Sequence, residues 1–228
     1  MKPSVLVACE FSGTVRDAFA RAGADAWSCD LLPTESPGQH IQGDAIEALR
    51  SRDWDLVIAH PPCTYLCVSG MHWTTRGLRD PQLTEDALAF VRAFMEADCP
   101  RVAIENPVGV ISTRIRKPDQ MVQPYEYGHD ASKRTCLWLR GLPKLTPTEC
   151  VPPRLVCKRC KAVSRFQDAE WCGSCALDGA WSRPRWSNQT DSGQNKLGPS
   201  ADRWALRSMT YPGVAAAMAS QWIRECTK

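Results

Sequence analysis

Two groups of residues carry types and spacings that can do chemistry. The first is a pair of knuckles, Cys157-Lys158-Arg159-Cys160 and Cys172-Gly173-Ser174-Cys175, with eleven residues between them. Four thiolates on two such turns can surround one tetrahedral zinc. No coordination position is then left for water, so the ion is expected to be structural, and a segment this short needs such a staple to fold. The second group is Pro61-Pro62-Cys63-Thr64 with Glu105-Asn106-Pro107. A cysteine held by a rigid Pro-Pro turn is placed to act as a nucleophile, and a neighbouring carboxylate can supply or accept a proton beside it. His60 reads as part of the same site, whereas Cys67 reads as packing.

The elements that must position these groups follow from the apolar pattern. Val5-Leu6-Val7-Ala8-Cys9 is a continuous apolar run that ends at Glu10-Phe11-Ser12-Gly13 and precedes a helical pattern over 14–21. Asp25-Ala26-Trp27-Ser28-Cys29 predicts a second strand ending in Asp30, and 33–38 a loop. Residues 44–50 predict a short helix, and Asp55-Leu56-Val57-Ile58-Ala59 a strand stopped by the two prolines. A long loop over 63–81 leads to a helix that Thr84 can cap, with Leu88, Val91 and Met95 on one face. Strands follow at 101–104 and 135–139, and 214–225 predicts a final amphipathic helix that returns to the sheet.

Strands apolar on both faces and alternating with helices give a parallel sheet covered on both sides. Glu10, Asp30, His60, Cys63 and Glu105 all stand just past the carboxyl ends of strands, the edge where such sheets bind ligands. Residues 141–200, with six prolines near the knuckles, break the pattern, so the expected organisation is one domain over 1–140 and 201–228 with an insertion over 141–200.

Of 228 residues, 43% are hydrophobic and 23% charged, which excludes a disordered or fibrous chain. No apolar run approaches the roughly 18 residues of a membrane span, and the apolar start is too short for a signal-peptide core. Twelve cysteines without a secretion signal then predict reduced thiols in a cytoplasmic protein. Charge is uneven: residues 1–150 carry 16 Lys and Arg against 19 Asp and Glu, and residues 151–228 carry 12 against 6. Trp171, Trp181, Trp186 and Trp204 lie among Arg154, Arg159, Arg165, Arg183, Arg185, Arg203 and Arg207. Such a tail can meet phosphates and stack bases, or it can be a solvated face over a small core.

The order Phe11-Ser12-Gly13, Asp30, Asp44, Pro61-Pro62-Cys63, Glu105-Asn106 and Lys133-Arg134-Thr135 resembles the motif series of DNA cytosine-5 methyltransferases, small phage-type members above all. The resemblance covers most of 4–140 and implies a Rossmann-like α/β fold that binds S-adenosylmethionine, here carrying a small zinc-ribbon insertion. It implies that Cys63 attacks carbon 6 of a flipped cytosine, that Glu105 holds the exocyclic amine and protonates ring nitrogen 3, and that Arg134 steadies the base. It implies a cofactor set of Phe11 against the adenine, Gly13 at the methionine part, Asp30 on the ribose hydroxyls and Asp44 on the adenine amine. Ser12, Leu31, Ala45 and Pro61 complete that set.

Departures from the family pattern stand at Thr14, His60 (in place of glycine), Thr64, Pro107 and Asp30. A full target-recognition domain is missing, which implies a short recognition sequence or little sequence selectivity. The same chemistry on RNA, a free nucleotide or a modified base is the second reading. A non-catalytic zinc-ribbon module that binds nucleic acid is the third, and it requires neither Cys63 nor Glu105. A thiol enzyme using Cys63 and Cys67 is the fourth, and it leaves Asp30, Asp44 and Glu105 unused.

Overall fold

A computed structural model describes residues 1–165, 171–175, 177–178, 181–190 and 194–226. In chain order the elements are β1 (Ser4–Ala8), α1 (Thr14–Arg21), β2 (Asp25–Asp30), β3 (His40–Gln42), α2 (Ala45–Arg50), β4 (Leu56–Ala59), α3 (Val68–Thr75), α4 (Gln82–Met95) and β5 (Val102–Pro107). Then come α5 (Ile111–Arg114), β6 (Gln120–Val122), β7 (Thr135–Arg140), β8 (Leu155–Val156), β9 (Val163–Ser164), β10 (Trp171–Cys172), β11 (Leu177–Asp178), α6 (Arg203–Ser208) and α7 (Pro212–Trp222). The chain divides into two compact units, one of residues 1–122, 134–146 and 210–228, the other of 123–133 and 147–209.

The first unit is built on a seven-stranded sheet in the order β3-β2-β1-β4-β5-β7-β6. The five strands from β3 to β5 are parallel, and β7 runs antiparallel to both β5 and β6. This is the Rossmann-like order with one reversed strand inserted before the last, the α/β class that the sequence implies. Val5, Leu6, Val7 and Ala8 on β1 and Leu56 to Ala59 on β4 are fully buried, as central strands covered on both faces require. The strand order reverses between β1 and β4, which puts the ligand-binding crevice at their carboxyl ends.

Several local expectations change. The stretch 63–81 is not a plain loop, because Cys63–Tyr65 forms a 3-10 turn and α3 follows it. None of the α3 residues is buried, and Val68 and Trp73 are exposed, so no core-facing stripe marks this helix in the sequence. Thr84 does not cap α4: the helix starts at Gln82, whose N–H is held by Asp80 Oδ1 at 2.9 Å, and Thr84 is buried with its hydroxyl 3.7 Å from Met71 Sδ. Helix α7 packs on α1 and buries Val214, Ala215, Met218 and Trp222. Among the described residues no helix is long and apolar enough to cross a membrane.

The second unit holds two short antiparallel ribbons, β8-β9 and β10-β11, with one cysteine pair near each. Tyr125 and Trp186 stack with ring centroids 4.1 Å apart, and Asp130 ties the chain to Arg165 and to the Ser187 N–H.

Candidate active site

The turn after β1 is set by Glu10. Its carboxylate is buried and accepts from the N–H of Val15 at 2.6 Å and of Arg16 at 3.1 Å. It thereby satisfies two of the open donors at the start of α1 and suits the positive end of that helix. Glu10 looks like a ligand-binding residue in the sequence, yet its oxygens are used by the backbone.

Gly13 stands at φ +75°, and a Cβ there would come 2.4 Å from Arg16 Nη2. Arg16 is 1% exposed and donates to Ser28 Oγ, Thr34 Oγ1 and the carbonyls of Ser36 and Pro37. A buried arginine with this many acceptors fixes the 34–37 segment after β2. Sequence reading missed it; the signal was an arginine in the first turn of α1, behind the apolar strand, with the hydroxyls of Thr34 and Ser36 in the loop after β2.

Beside β1, β2 and β4 lies a cavity of about 360 Å³, lined by Asp30, Leu31, Asp44, Ala45 and Pro61, among others. Five of the residues in the implied cofactor set thus share one wall. Phe11, Ser12 and Gly13 form the β1–α1 turn and are not among the lining residues. Cys9, Tyr65, Leu83 and Phe90, which sequence reading did not single out, are. Asp44 caps α2, its Oδ1 accepting from Ile46 N at 2.7 Å and Glu47 N at 3.1 Å. Asp30 Oδ1 accepts from Leu32 N at 3.0 Å. Burial pushes the Cys9 thiol well above its ordinary range, and the nearby carboxylates of Asp30 and Asp44 add to that. A largely apolar cavity with three carboxylates, Asp30, Asp44 and Asp86, fits a nucleoside, whose ring needs apolar walls and whose hydroxyls and amine need acceptors. A wider cleft of about 670 Å³ between α2 and α4, lined by Arg50, Arg52, Arg92 and Glu96, contains none of the predicted residues.

Cys63 and Glu105 are brought to one edge because β4 and β5 are parallel neighbours, Ala59 pairing with Ile104, and β5 runs on through Glu105 to Pro107 where β4 has ended. Two hydrogen bonds join the residues that follow β4 to this last part of β5. His60 Nδ1 lies 3.0 Å from Glu105 Oε2, and the buried Asn106 side chain donates from Nδ2 to the Pro61 carbonyl at 2.7 Å. Cys63 opens the 3-10 turn, its carbonyl accepting from Leu66 N and Cys67 N, and it is half-buried. Cys67 is buried with Sγ 3.2 Å from Ser69 Oγ, as a packing residue would be.

Arg134 precedes β7, and an antiparallel strand begins where its neighbour ends; Thr135 pairs with Pro107, so Arg134 stands at the Glu105 edge. The Cys136 thiol registers both charges: burial pushes it up, Glu105 adds to that, and Arg134 opposes it.

In the second unit, Cys157, Cys160, Cys172 and Cys175 offer sulfurs that all lie within 4.8 Å of one another. The Cys157–Cys175 and Cys160–Cys172 separations are 3.6 and 3.5 Å. A disulfide needs about 2 Å, whereas tetrahedral Zn–S bonds of about 2.3 Å separate sulfurs by roughly 3.8 Å. The four thiols therefore fit one zinc ion. Backbone N–H groups of Cys160 and Arg159 bring the Cys157 thiol down to about 6, whereas Cys160 and Cys175 are pushed up beside the other sulfurs.

Among the basic and aromatic residues of this unit, Lys158, Arg159, Lys161, Arg183, Trp204 and Arg207 are exposed. Trp186 is used against Tyr125 and Arg165 against Asp130. The Trp171 side chain lies outside the described residues.

The sequence matches no protein-family profile and no curated protein. Its fold is similar to that of a chain described as a DNA modification methyltransferase encoded within an Escherichia coli prophage, at 16% identity over 67% of this chain and 53% of that one, with a TM-score of 0.44. It is also similar to the Entamoeba histolytica methyltransferase EhMeth, at 15% identity over 66% and 58%, with a TM-score of 0.45. The chain thus spans somewhat more than half the length of these solved chains.

Proposed function

We propose that the protein is an S-adenosylmethionine-dependent DNA methyltransferase acting on carbon 5 of cytosine through a covalent Cys63 adduct. The observation that carries this reading is the pair of hydrogen bonds between His60-Pro61 and Glu105-Asn106, which fix a nucleophile's turn against a carboxylate. Pro61 belongs both to that staple and to the wall of the cavity that holds Asp30 and Asp44. S-adenosylmethionine, when bound there, supplies the electrophilic methyl group that carbon 5 takes up.

The chain's own residues do the rest. Cys63 Sγ forms a bond to carbon 6 of the pyrimidine while Glu105 gives a proton to ring nitrogen 3, so the ring accepts the electron pair and carbon 5 becomes nucleophilic. Arg134 offers a fixed cation to the base at the same edge. Loss of the carbon-5 proton to solvent drives breakage of the S–C bond, which releases Cys63 as the thiolate that attacked, and the proton on ring nitrogen 3 returns to Glu105. The reacting carbon is inaccessible inside a duplex, so the base leaves the stack. The DNA backbone would meet the exposed Lys158, Arg159, Lys161 and Arg183 of the zinc-binding unit.

The test is incubation of the protein and its Cys63→Ala variant with DNA and S-adenosylmethionine, followed by mass analysis of the nucleosides. One methyl group gained on deoxycytidine, and absent with the variant, is the expected result. Unmodified deoxycytidine from a protein that binds S-adenosylmethionine would overturn DNA cytosine as the acceptor.

A further inference from the structure

We infer that Arg16 is a positioning residue for the methyl donor: one buried guanidinium sets the loop between β2 and β3, and with it the cavity wall that Asp30 and Leu31 form. The inference rests on the reading of that cavity as the S-adenosylmethionine site. A planar guanidinium offers five N–H donors and no acceptor, and here each donor finds a partner. Nε donates to Asp17 Oδ1 at 2.8 Å, Nη1 to Ser28 Oγ and Thr34 Oγ1 at 3.1 Å each, and Nη2 to the carbonyls of Ser36 and Pro37 at 3.0 and 3.3 Å. The head is also enclosed, since a Cβ on Gly38 would come 2.6 Å from Cζ and one on Gly13 2.4 Å from Nη2.

A charge this deep is a poor source of net stability, because its desolvation offsets what its bonds return. What the bonds specify is a conformation. Three of the five acceptors lie in 34–37, within a stretch from 31 to 39 that belongs to no helix or strand. The same network runs on towards the cavity: Ser28 Oγ lies 2.9 Å from His40 Nδ1, and His40 Nε2 donates to the Leu32 carbonyl at 3.0 Å. The Glu35 N–H donates to the Phe11 carbonyl at 2.9 Å, so the loop is tied to the turn after β1 as well. Leu31 lines the cavity yet is 75% exposed, so core packing does not fix it and its place follows from the backbone around it. A donor that meets this wall already formed does not have to order it on binding.

The test measures S-adenosylmethionine binding by titration calorimetry, and backbone hydrogen exchange at Leu32, Glu35 and Ser36, in the native chain and in Arg16→Met, Arg16→Lys and Gly38→Ala. Met fills the space of the arginine stem but offers no donor, whereas Lys keeps the charge with three donors in place of five. Gly38→Ala leaves Arg16 in the chain and pushes its head aside. In Arg16→Met the three amides should exchange about tenfold faster or more without ligand and regain protection with it. Its affinity for the donor should fall by about 10- to 100-fold. Arg16→Lys should lie between Met and native, and Gly38→Ala should weaken binding by about fivefold or more.

A role in folding alone would lower the number of donor sites per chain and leave the Kd of the folded molecules native, so that result overturns the inference. Native affinity in Arg16→Met overturns it too, and so does weaker binding with native exchange at the three amides. If Arg16→Met fails to fold, Arg16→Lys and Gly38→Ala decide between the same outcomes. A native chain that does not bind S-adenosylmethionine removes the donor reading of the cavity, and the role of Arg16 falls with it. Binding in the native chain that no variant weakens removes the role of Arg16 alone.

Discussion

Asp44 has two tasks that a pair of substitutions can separate. Its Oδ1 accepts from the backbone N–H of Ile46 and Glu47 and so caps α2, while the residue also lines the cavity assigned to the nucleoside. Replacing it with Asn keeps an oxygen for the two N–H groups, because Asn is as good an N-cap as Asp. The amide nitrogen then takes the other position, and a donor faces the cavity where the ligand's amine would also donate. Loss of a hydrogen bond to a charged acceptor costs about 1.5–3 kcal/mol, so Asp44→Asn should weaken S-adenosylmethionine binding by about 10- to 150-fold. Stability should stay within about 0.5 kcal/mol. Asp44→Ala should weaken binding similarly but also lose the cap, about 1 kcal/mol, which lowers the unfolding midpoint by about 2–4 °C in a chain of this size. Titration calorimetry with S-adenosylmethionine and a thermal melt without it measure the two effects independently. Native affinity in the Asn variant would refute the assignment of the cavity. A fall in affinity that tracks the fall in stability would show that Asp44 serves only the helix.

The cysteines give two further expected outcomes. The purified chain should carry one zinc ion by elemental mass analysis, lost in Cys172→Ser, and backbone hydrogen exchange over 155–187 should then speed up by on the order of 100-fold or more while 4–59 keeps its protection; an unchanged second unit without metal would refute a structural role. Stability should also fall in alkali. Burial raises the Cys29 and Cys226 thiols to about 11, so the folded state keeps protons that the unfolded chain releases from about pH 8.5 upward. This contribution is complete below that pH and declines as pH rises towards 11. Denaturant melts at pH 7.5, 9 and 10.5 should show the decline, and a level profile would contradict the burial of these thiols.

How far the site could be read from the sequence depends on which forces each residue obeys. Cys63, Glu105, Asp30 and Asp44 are legible because each stands in or after the last residues of a strand or opens a helix, and neighbouring parallel strands gather such residues at one edge. The four knuckle cysteines are legible because each CxxC turn can aim two sulfurs at one ion, and the 3.6 and 3.5 Å contacts that cross between the knuckles, Cys157–Cys175 and Cys160–Cys172, bring the four together. Where side chains serve the backbone, sequence position misleads. Glu10 stands where a ligand-binding acid would stand and instead caps α1. Thr84 looks like a cap and is buried. Helix α3 buries no residue and so writes no apolar stripe into the sequence.

Arg16 was hidden, and the partner of His60 was, for a different reason. An arginine on an amphipathic helix reads as solvated, and a histidine before two prolines reads as a site residue without showing what it touches. Their roles arise from partners 12 to 45 positions away in the chain, Ser28 and the 34–37 segment for one, Glu105 for the other. Those pairings exist only once the parallel sheet has set the register. The sheet therefore does more than carry Cys63: by fixing which residue stands opposite Glu105, it sets His60 Nδ1 3.0 Å from that carboxylate.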